Sequence, residues 1–145
     1  MDKGAAVVLT ALAGGLIAAQ APINAGLGRA TGSLPAALVS FLVGTIALAL
    51  VVVLSGKAGG LSSTFDVSWY YLLGGFLGAL YVFNALIAVK TIGAGGVAAT
   101  TVCGQLTAAV LIDRFGLFGL DQVALSASRV VGVGLLLVGT ALIVR

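Results

Sequence analysis

The stretch GAAVVLTALAGGLIAAQAPINAGL, residues 4–27, contains no charged side chain. An α-helix of this length crosses a hydrocarbon core of about 30 Å, so the stretch predicts a membrane-spanning helix. Similar apolar stretches recur along the rest of the chain, and charged residues mark their ends. We predict five spans, at about residues 4–27, 34–54, 68–89, 94–112 and 128–144. Their lack of period-two alternation favours helices over the strands of a membrane barrel.

The composition agrees with a membrane protein. The 145 residues are 61% hydrophobic and 8% charged, and the mean hydropathy is +1.25. A soluble domain of this size needs more polar surface, so we predict a single all-α transmembrane domain covering residues 1–145. The net charge of +3 comes from basic residues scattered singly between apolar runs. Because they form no patch, we expect lipid around the chain and no nucleic-acid partner.

Two absences bear on function. The chain has no histidine and no glutamate, and its only acids are Asp2, Asp66, Asp113 and Asp121. This removes most general acid–base pairs, most nucleophilic triads and any histidine-based metal site. We therefore predict that the protein is not an enzyme and uses no cofactor or metal. The single cysteine, Cys103, lies inside an apolar run and is expected to be a buried packing residue.

The basic residues are almost evenly divided between the two sides of the membrane. With five spans, Lys3, Lys57, Arg114 and Arg129 lie on one side, and Arg29, Lys90 and Arg145 lie on the other. The positive-inside rule orients a chain by this asymmetry, so the sequence predicts insertion in both orientations. Two opposite copies would form the inverted-repeat pair that secondary transporters use for alternating access. The alternative is one weakly biased orientation, decided by the first helix.

Neutral polar residues are the candidate binding groups. Gln20 and Asn24 share a helix face beside Pro22, which is predicted to break or kink the helix because it cannot donate to the carbonyl of Ala18. Broken helices often hold the substrate in transporters. Polar faces on the next three spans add Ser40, Tyr81, Asn84, Thr101 and Gln105. The seven side chains predict a shared polar interior that binds a small molecule, and the alternative is structural bonding between helices.

Two further features have more than one interpretation. Asp113 is the only acid next to a span, so it is a candidate for proton coupling, or else for an ion pair with Arg114. Gly132 and Gly139 lie seven residues apart on one stripe of the fifth span. This spacing predicts a close helix–helix contact, which we place at a dimer interface.

Three strings carry a family resemblance: AAQAPINAGLGRATGSLPAALVSFLVGT (residues 18–45), GGFLGALYV (74–82) and GQLTAAVLIDRFGLFG (104–119). With them the chain resembles the YdcZ-like branch of the drug/metabolite transporter superfamily. The resemblance implies five helices per chain, half of an EamA-like inverted-repeat transporter, assembled as an antiparallel homodimer or with a paralogous partner. It also implies the plasma membrane of a prokaryote, which is the inner membrane in a Gram-negative cell.

The resemblance has limits at particular residues. Arg114 stands where many members of the family have a histidine, so no proton role is carried over to that position. The spacing of Gly132 and Gly139 is similar to that in the dimerisation helix of small multidrug resistance proteins. The chain has no counterpart of the membrane-embedded glutamate of those proteins, so drug export is not carried over.

The leading hypothesis is a secondary transporter of a small polar metabolite. Without a buried carboxylate, a strongly cationic substrate would lack its counter-charge, which leaves neutral, zwitterionic or weakly anionic molecules. A half-helix N-terminus near Pro22 would favour the binding of a weakly anionic molecule, because the helix dipole is positive at that end. The alternatives are a passive channel, with high flux that does not saturate, and a non-transporting membrane scaffold or partner subunit. In a scaffold, replacing Gln20 or Asn24 by alanine would harm assembly rather than uptake.

Overall fold

The structure, a computed structural model, describes residues 2–145 and is built from helices. The four α-helices are α1 (Lys3–Thr31), α2 (Ser33–Leu54), α3 (Leu73–Phe115) and α4 (Ala127–Val144). No strand occurs within residues 2–145. Each α-helix is long and apolar enough to cross a membrane. The predicted all-α class is therefore confirmed for these residues, with four candidate spans where the sequence predicted five.

The difference in number arises inside α3. This helix has 43 residues, and its backbone leaves the helical region at Gly93, where φ is 69° and ψ is 172°. An unbroken helix of that length would extend roughly 65 Å, about twice the hydrocarbon thickness. Gly93 divides α3 into an amino-terminal arm, residues 73–92, and a carboxyl-terminal arm, residues 94–115. The spans predicted at 68–89 and 94–112 overlap these two arms.

The segment between α2 and α3 is polar and contains two short 3₁₀ helices, Ala58–Asp66 and Trp69–Leu72. The sequence predicted a loop up to residue 67 and a span from residue 68, whereas the α-helix begins at Leu73. The rings of Trp69 and Tyr70 meet edge to face at 6.4 Å, and those of Tyr70 and Tyr71 lie 4.4 Å apart. Aromatic residues in this position suit the level of the lipid headgroups.

The chain forms two compact units. One contains residues 19–90, and the other contains residues 2–18 together with 91–145. Helices α1 and α3 each contribute to both units, because the boundaries fall within them. The two units are described separately below.

Small residues form the core of the 19–90 unit. The buried residues of α1 in this unit are Ala21, Asn24, Ala25 and Gly28, which recur at helical spacing and so occupy one face. A β-carbon built on Gly28 would lie 3.2 Å from Cδ2 of Leu86 and 3.7 Å from Cβ of Ala36. Leu86, on the amino-terminal arm of α3, is fully buried. The end of α1, the start of α2 and this arm therefore meet at Gly28.

In the other unit, α4 lies beside the carboxyl-terminal arm of α3. The hydroxyl of Thr140 donates to the carbonyl oxygen of Ala99 at 3.2 Å, which joins the two helices. Val97 and Cys103 are buried on the arm, whereas α4 (residues 127–144) has no buried residue. Most of the large side chains of α4 are therefore exposed and left for lipid or for another protein to cover.

Candidate functional site

The seven predicted binding residues fall in both units and differ in exposure. Gln20, Asn24, Ser40, Tyr81 and Asn84 belong to the 19–90 unit, and Thr101 and Gln105 belong to the other. Asn24 is buried, whereas Ser40, Tyr81 and Thr101 are half-buried and Gln20, Asn84 and Gln105 are exposed. The sequence placed Gln20 and Asn24 together on one face. The structure shows that the two differ in burial, since Asn24 is buried among neighbouring helices and Gln20 is exposed.

Asn24 is a buried amide in need of a partner. The residue is 6% exposed, and its Nδ2 atom has no hydrogen-bond acceptor within residues 2–145. Its nearest buried neighbours along α1 are Ala21, Ala25 and Gly28, which offer no side-chain acceptor. Leaving a buried donor unpaired costs about 1–3 kcal/mol. An asparagine at such a position is suited to bind an acceptor that comes from outside this packed cluster.

Several threonines in the same helices already have partners. The hydroxyl of Thr100 donates to the carbonyl oxygen of Gly96, and that of Thr107 to the carbonyl oxygen of Cys103, both at 2.8 Å. By contrast, no hydrogen bond joins any of the seven candidate side chains to another group within residues 2–145. Hydrocarbon supplies no partners, so these seven groups depend on protein, water or a ligand. The seven candidate side chains thus differ from Thr100 and Thr107, whose hydroxyls already donate to backbone carbonyl oxygens.

Pro22 does not interrupt the helical residues of α1, which continue from Lys3 to Thr31. The predicted break, with a half-helix N-terminus beside it, is therefore not seen. A proline inside a helix still removes one donor, so the carbonyl of Ala18 lacks its usual bond. The loss of this one hydrogen bond does not take the backbone of α1 out of the helix, and the kink stays a prediction.

Asp113 forms an ion pair, but not with the residue that the sequence suggested. Its Oδ2 atom lies 3.1 Å from Nη1 of Arg129, at the start of α4, and the two side chains are 35% and 37% exposed. Arg114 is adjacent in sequence, and adjacent residues on a helix do not face each other. Arg129 stands in the first turn of α4, where a cation is unfavourable without an anion. A cation at the start of a predicted helix was therefore a sign in the sequence that Arg129 needs an acidic partner, and the prediction missed it.

The backbone of Asp113 also holds the following segment. Its carbonyl oxygen accepts a hydrogen bond from the N–H of Val123 at 2.9 Å. The side chain of Ser126 accepts from the N–H of Arg129 and so caps α4. Asp113 therefore connects the end of α3 with the segment that precedes α4 and with α4 itself.

Gly132 and Gly139 open onto a groove between α4 and the carboxyl-terminal arm of α3. The groove has a volume of about 550 Å³, and its walls include Gly95, Ala99 and Leu135. A β-carbon on either Gly132 or Gly139 would have no atom within 4 Å. Side chains at these two positions would thus have room in the groove, and the dimer contact stays a prediction.

Comparison with known proteins identifies the family. The family model described as "Putative inner membrane exporter, YdcZ" matches residues 5–142. The chain belongs to the YdcZ family. Together with its apolar helices, this makes it a multi-pass membrane transporter, from a family of exporters rather than of enzymes. No curated protein and no solved structure matches the chain.

The match of the YdcZ family covers all seven candidate residues, the Asp113–Arg129 pair and both glycines of the groove. Within residues 2–145 of this YdcZ-family chain, no three histidine, cysteine, aspartate or glutamate residues come together as a metal site would require. Any ligand of the candidate residues would be held by hydrogen bonds, since their side chains are neutral.

We expect the ion pair to contribute modestly to stability. In a double-mutant cycle of Asp113→Asn and Arg129→Gln, the thermal unfolding of the detergent-solubilised protein should show a coupling of about 0.2–1 kcal/mol, because both groups are partly in water. The coupling should shrink in molar salt, which screens exposed charges. The cycle of Asp113→Asn with Arg114→Gln is the control and should show none. Equal coupling in both cycles would contradict the pairing.

Proposed function

We propose that this YdcZ-family chain is a secondary transporter of a small polar metabolite, working by alternating access in the plasma membrane of a prokaryote. The working unit is an antiparallel homodimer of chains inserted in both orientations, or a pair with a paralogous partner. Gln20, Asn24, Ser40, Tyr81, Asn84, Thr101 and Gln105 supply the hydrogen bonds to the substrate.

The observation that carries this proposal is the unpaired amide of Asn24. A protein that only had to be stable would gain by replacing a buried, unbonded amide with an apolar side chain. A transporter that binds a polar solute has a use for the same group, since the solute supplies the acceptor. The 19–90 unit also contains the half-buried hydroxyls of Ser40 and Tyr81, which supports a site with several donors.

The break in α3 supports five crossings. Counting the two arms of α3 separately, the chain has five apolar helical segments, and an odd number places the two termini on opposite sides. The four-to-three division of basic residues then supports insertion in both orientations. Fusion of a reporter to the C-terminus should give signal on both faces of the membrane, and signal on one face alone would exclude dual topology.

The charges support a substrate without strong positive charge. Asp113, the acid next to a span, is already paired with Arg129. The other three acids lie outside the four α-helices. A desolvated cation would therefore find no free carboxylate within α1 to α4, whereas neutral, zwitterionic or weakly anionic molecules need none.

Reconstitution in liposomes tests the function. A panel of small polar metabolites is screened by solid-supported membrane electrophysiology, and one chemical class should give currents that saturate. Asn24→Leu should lower the apparent affinity by up to roughly tenfold, because one hydrogen bond to the substrate is lost. Thr101→Ala should also weaken transport, whereas Thr107→Ala should not, since the hydroxyl of Thr107 is bonded to its own backbone.

The outcomes separate the alternatives. Flux that rises linearly with millimolar substrate would indicate a passive channel instead. Silence across the panel, in vesicles shown to contain folded dimer, would favour a scaffold or a partner subunit. Equal effects of Thr101→Ala and Thr107→Ala would remove the argument that unbonded polar groups mark the site.

A further inference from the structure

A long-range contact joins two helix ends in the 19–90 unit. Nζ of Lys90, near the end of the amino-terminal arm of α3, donates to Oγ of Ser33 at 3.1 Å. Ser33 is the first residue of α2. The packing of Gly28 against Leu86 and Ala36 lies within two turns of this contact on each helix. Lys90 is therefore held at the turn between α1 and α2, although it is 57 residues away from Ser33 in the sequence.

A second cation lies close to this turn in sequence. Arg29 lies in the last turn of α1, four residues before Ser33, and its side chain is exposed. Within residues 2–145, neither Arg29 nor Lys90 forms an ion pair. The only acid of the 19–90 unit, Asp66, follows the opposite end of α2. The length of α2 separates the two ends by roughly 30 Å, beyond the Debye length of about 8–10 Å at physiological salt.

The free groups of this patch, defined as Arg29, Ser33 and Lys90, are donors. The ammonium of Lys90 has two further N–H groups, and the Ser33 hydroxyl, which accepts from Lys90, keeps its own proton to donate. The guanidinium of Arg29 adds a planar set of donors. The nearby hydroxyl of Thr31 already bonds the carbonyl oxygen of Leu27. No side chain caps the start of α2. Such a patch fits an anion with several oxygen acceptors.

We propose that the patch of Arg29, Ser33 and Lys90 binds the phosphodiester headgroup of an anionic phospholipid. Arg29 and Ser33 stand at the ends of the apolar helices α1 and α2, and Lys90 stands three residues before the break in α3. The ends of membrane-spanning segments lie at the depth of the headgroups. Basic residues at that depth are attracted to anionic lipid, whereas the ammonium of a zwitterionic headgroup offsets its phosphate. A soluble phosphate would have to come from water to a surface already surrounded by headgroups. The proposal does not depend on the transported substrate.

The test measures thermal unfolding of the purified full-length protein in detergent, titrated with phosphatidylglycerol. The lipid should raise the unfolding temperature, and the double variant Arg29→Gln/Lys90→Gln should need roughly tenfold more lipid for half of that effect. The control Lys57→Gln/Arg114→Gln removes the same charge from two exposed residues elsewhere and should respond as the wild type does. Ser33→Ala should cause a smaller shift than the double variant.

Additional measurements distinguish a lipid phosphate from a soluble phosphate. Phosphatidylcholine and inorganic phosphate, each at the same concentration, should stabilise the wild type much less than phosphatidylglycerol. Native mass spectrometry should find phosphatidylglycerol retained on the wild type and depleted on the double variant, even if that variant unfolds at a lower temperature. An equal response of the two double variants would overturn the proposal. Stabilisation by inorganic phosphate as strong as that by the lipid would also overturn it, in favour of a soluble anion.

Discussion

Gly28→Val should destabilise the 19–90 unit by about 1–3 kcal/mol, the cost of forcing extra carbon atoms into a packed core. A β-carbon at this position would lie 3.2 Å from Cδ2 of Leu86, closer than most such contacts, and valine adds two γ-carbons beyond it. Leu86 is fully buried and has no solvent-exposed space to enter. The loss should appear as a lower thermal unfolding midpoint of the protein in detergent.

The matched control for this change lies two residues earlier on the same helix. A β-carbon on Gly26 would have no atom within 4 Å, so Gly26→Val should change the midpoint little. A second variant locates the clash. Combining Gly28→Val with Leu86→Ala should cost less than the sum of the two single changes, because the smaller side chain makes room for the valine. Strict additivity would contradict the contact.

Gly93→Ala is expected to have the second large effect. At φ 69° and ψ 172°, Gly93 occupies a backbone region that is essentially reserved for glycine, and a side chain there costs about 1–3 kcal/mol. The chain can avoid this cost only by making α3 a continuous helix, too long for one crossing. We therefore expect a lower unfolding midpoint and less folded protein in the membrane.

Gly104→Ala tests the same substitution within the helical part of α3. A β-carbon on Gly104 would meet no atom within 4 Å. Alanine favours the helix over glycine by up to about 1 kcal/mol, so this variant should be neutral or more stable. The two substitutions should thus have opposite signs. If Gly93→Ala is as harmless as Gly104→Ala, the break in α3 is not a strained feature of the folded protein.

The sequence was sufficient for properties that depend on local composition. Uncharged stretches long enough to cross a bilayer predicted the all-α class, which is confirmed for residues 2–145, because burying backbone in hydrocarbon requires helical hydrogen bonding within each stretch. The short strings around Pro22 and Asp113 were sufficient for the resemblance to the YdcZ family, which the family match confirms. The charge-containing interval between the spans at 68–89 and 94–112 indicated a boundary, and Gly93 is the residue where the helix breaks.

Partners and burial were decided by the tertiary structure. The sequence grouped Gln20 with Asn24, but only the packing of Gly28 against α2 and α3 shows which face of α1 is buried. It offered the neighbouring Arg114 as one possible partner of Asp113, whereas the fold brings Arg129 to it from the next helix.

The contact of Lys90 with Ser33 joins residues 57 positions apart and had no signal in the sequence at all. Hydropathy and helix length are sums over neighbouring residues, so a linear pattern contains them. Which polar group receives a hydrogen bond depends on how separate helices pack, and that information exists only once the chain has folded.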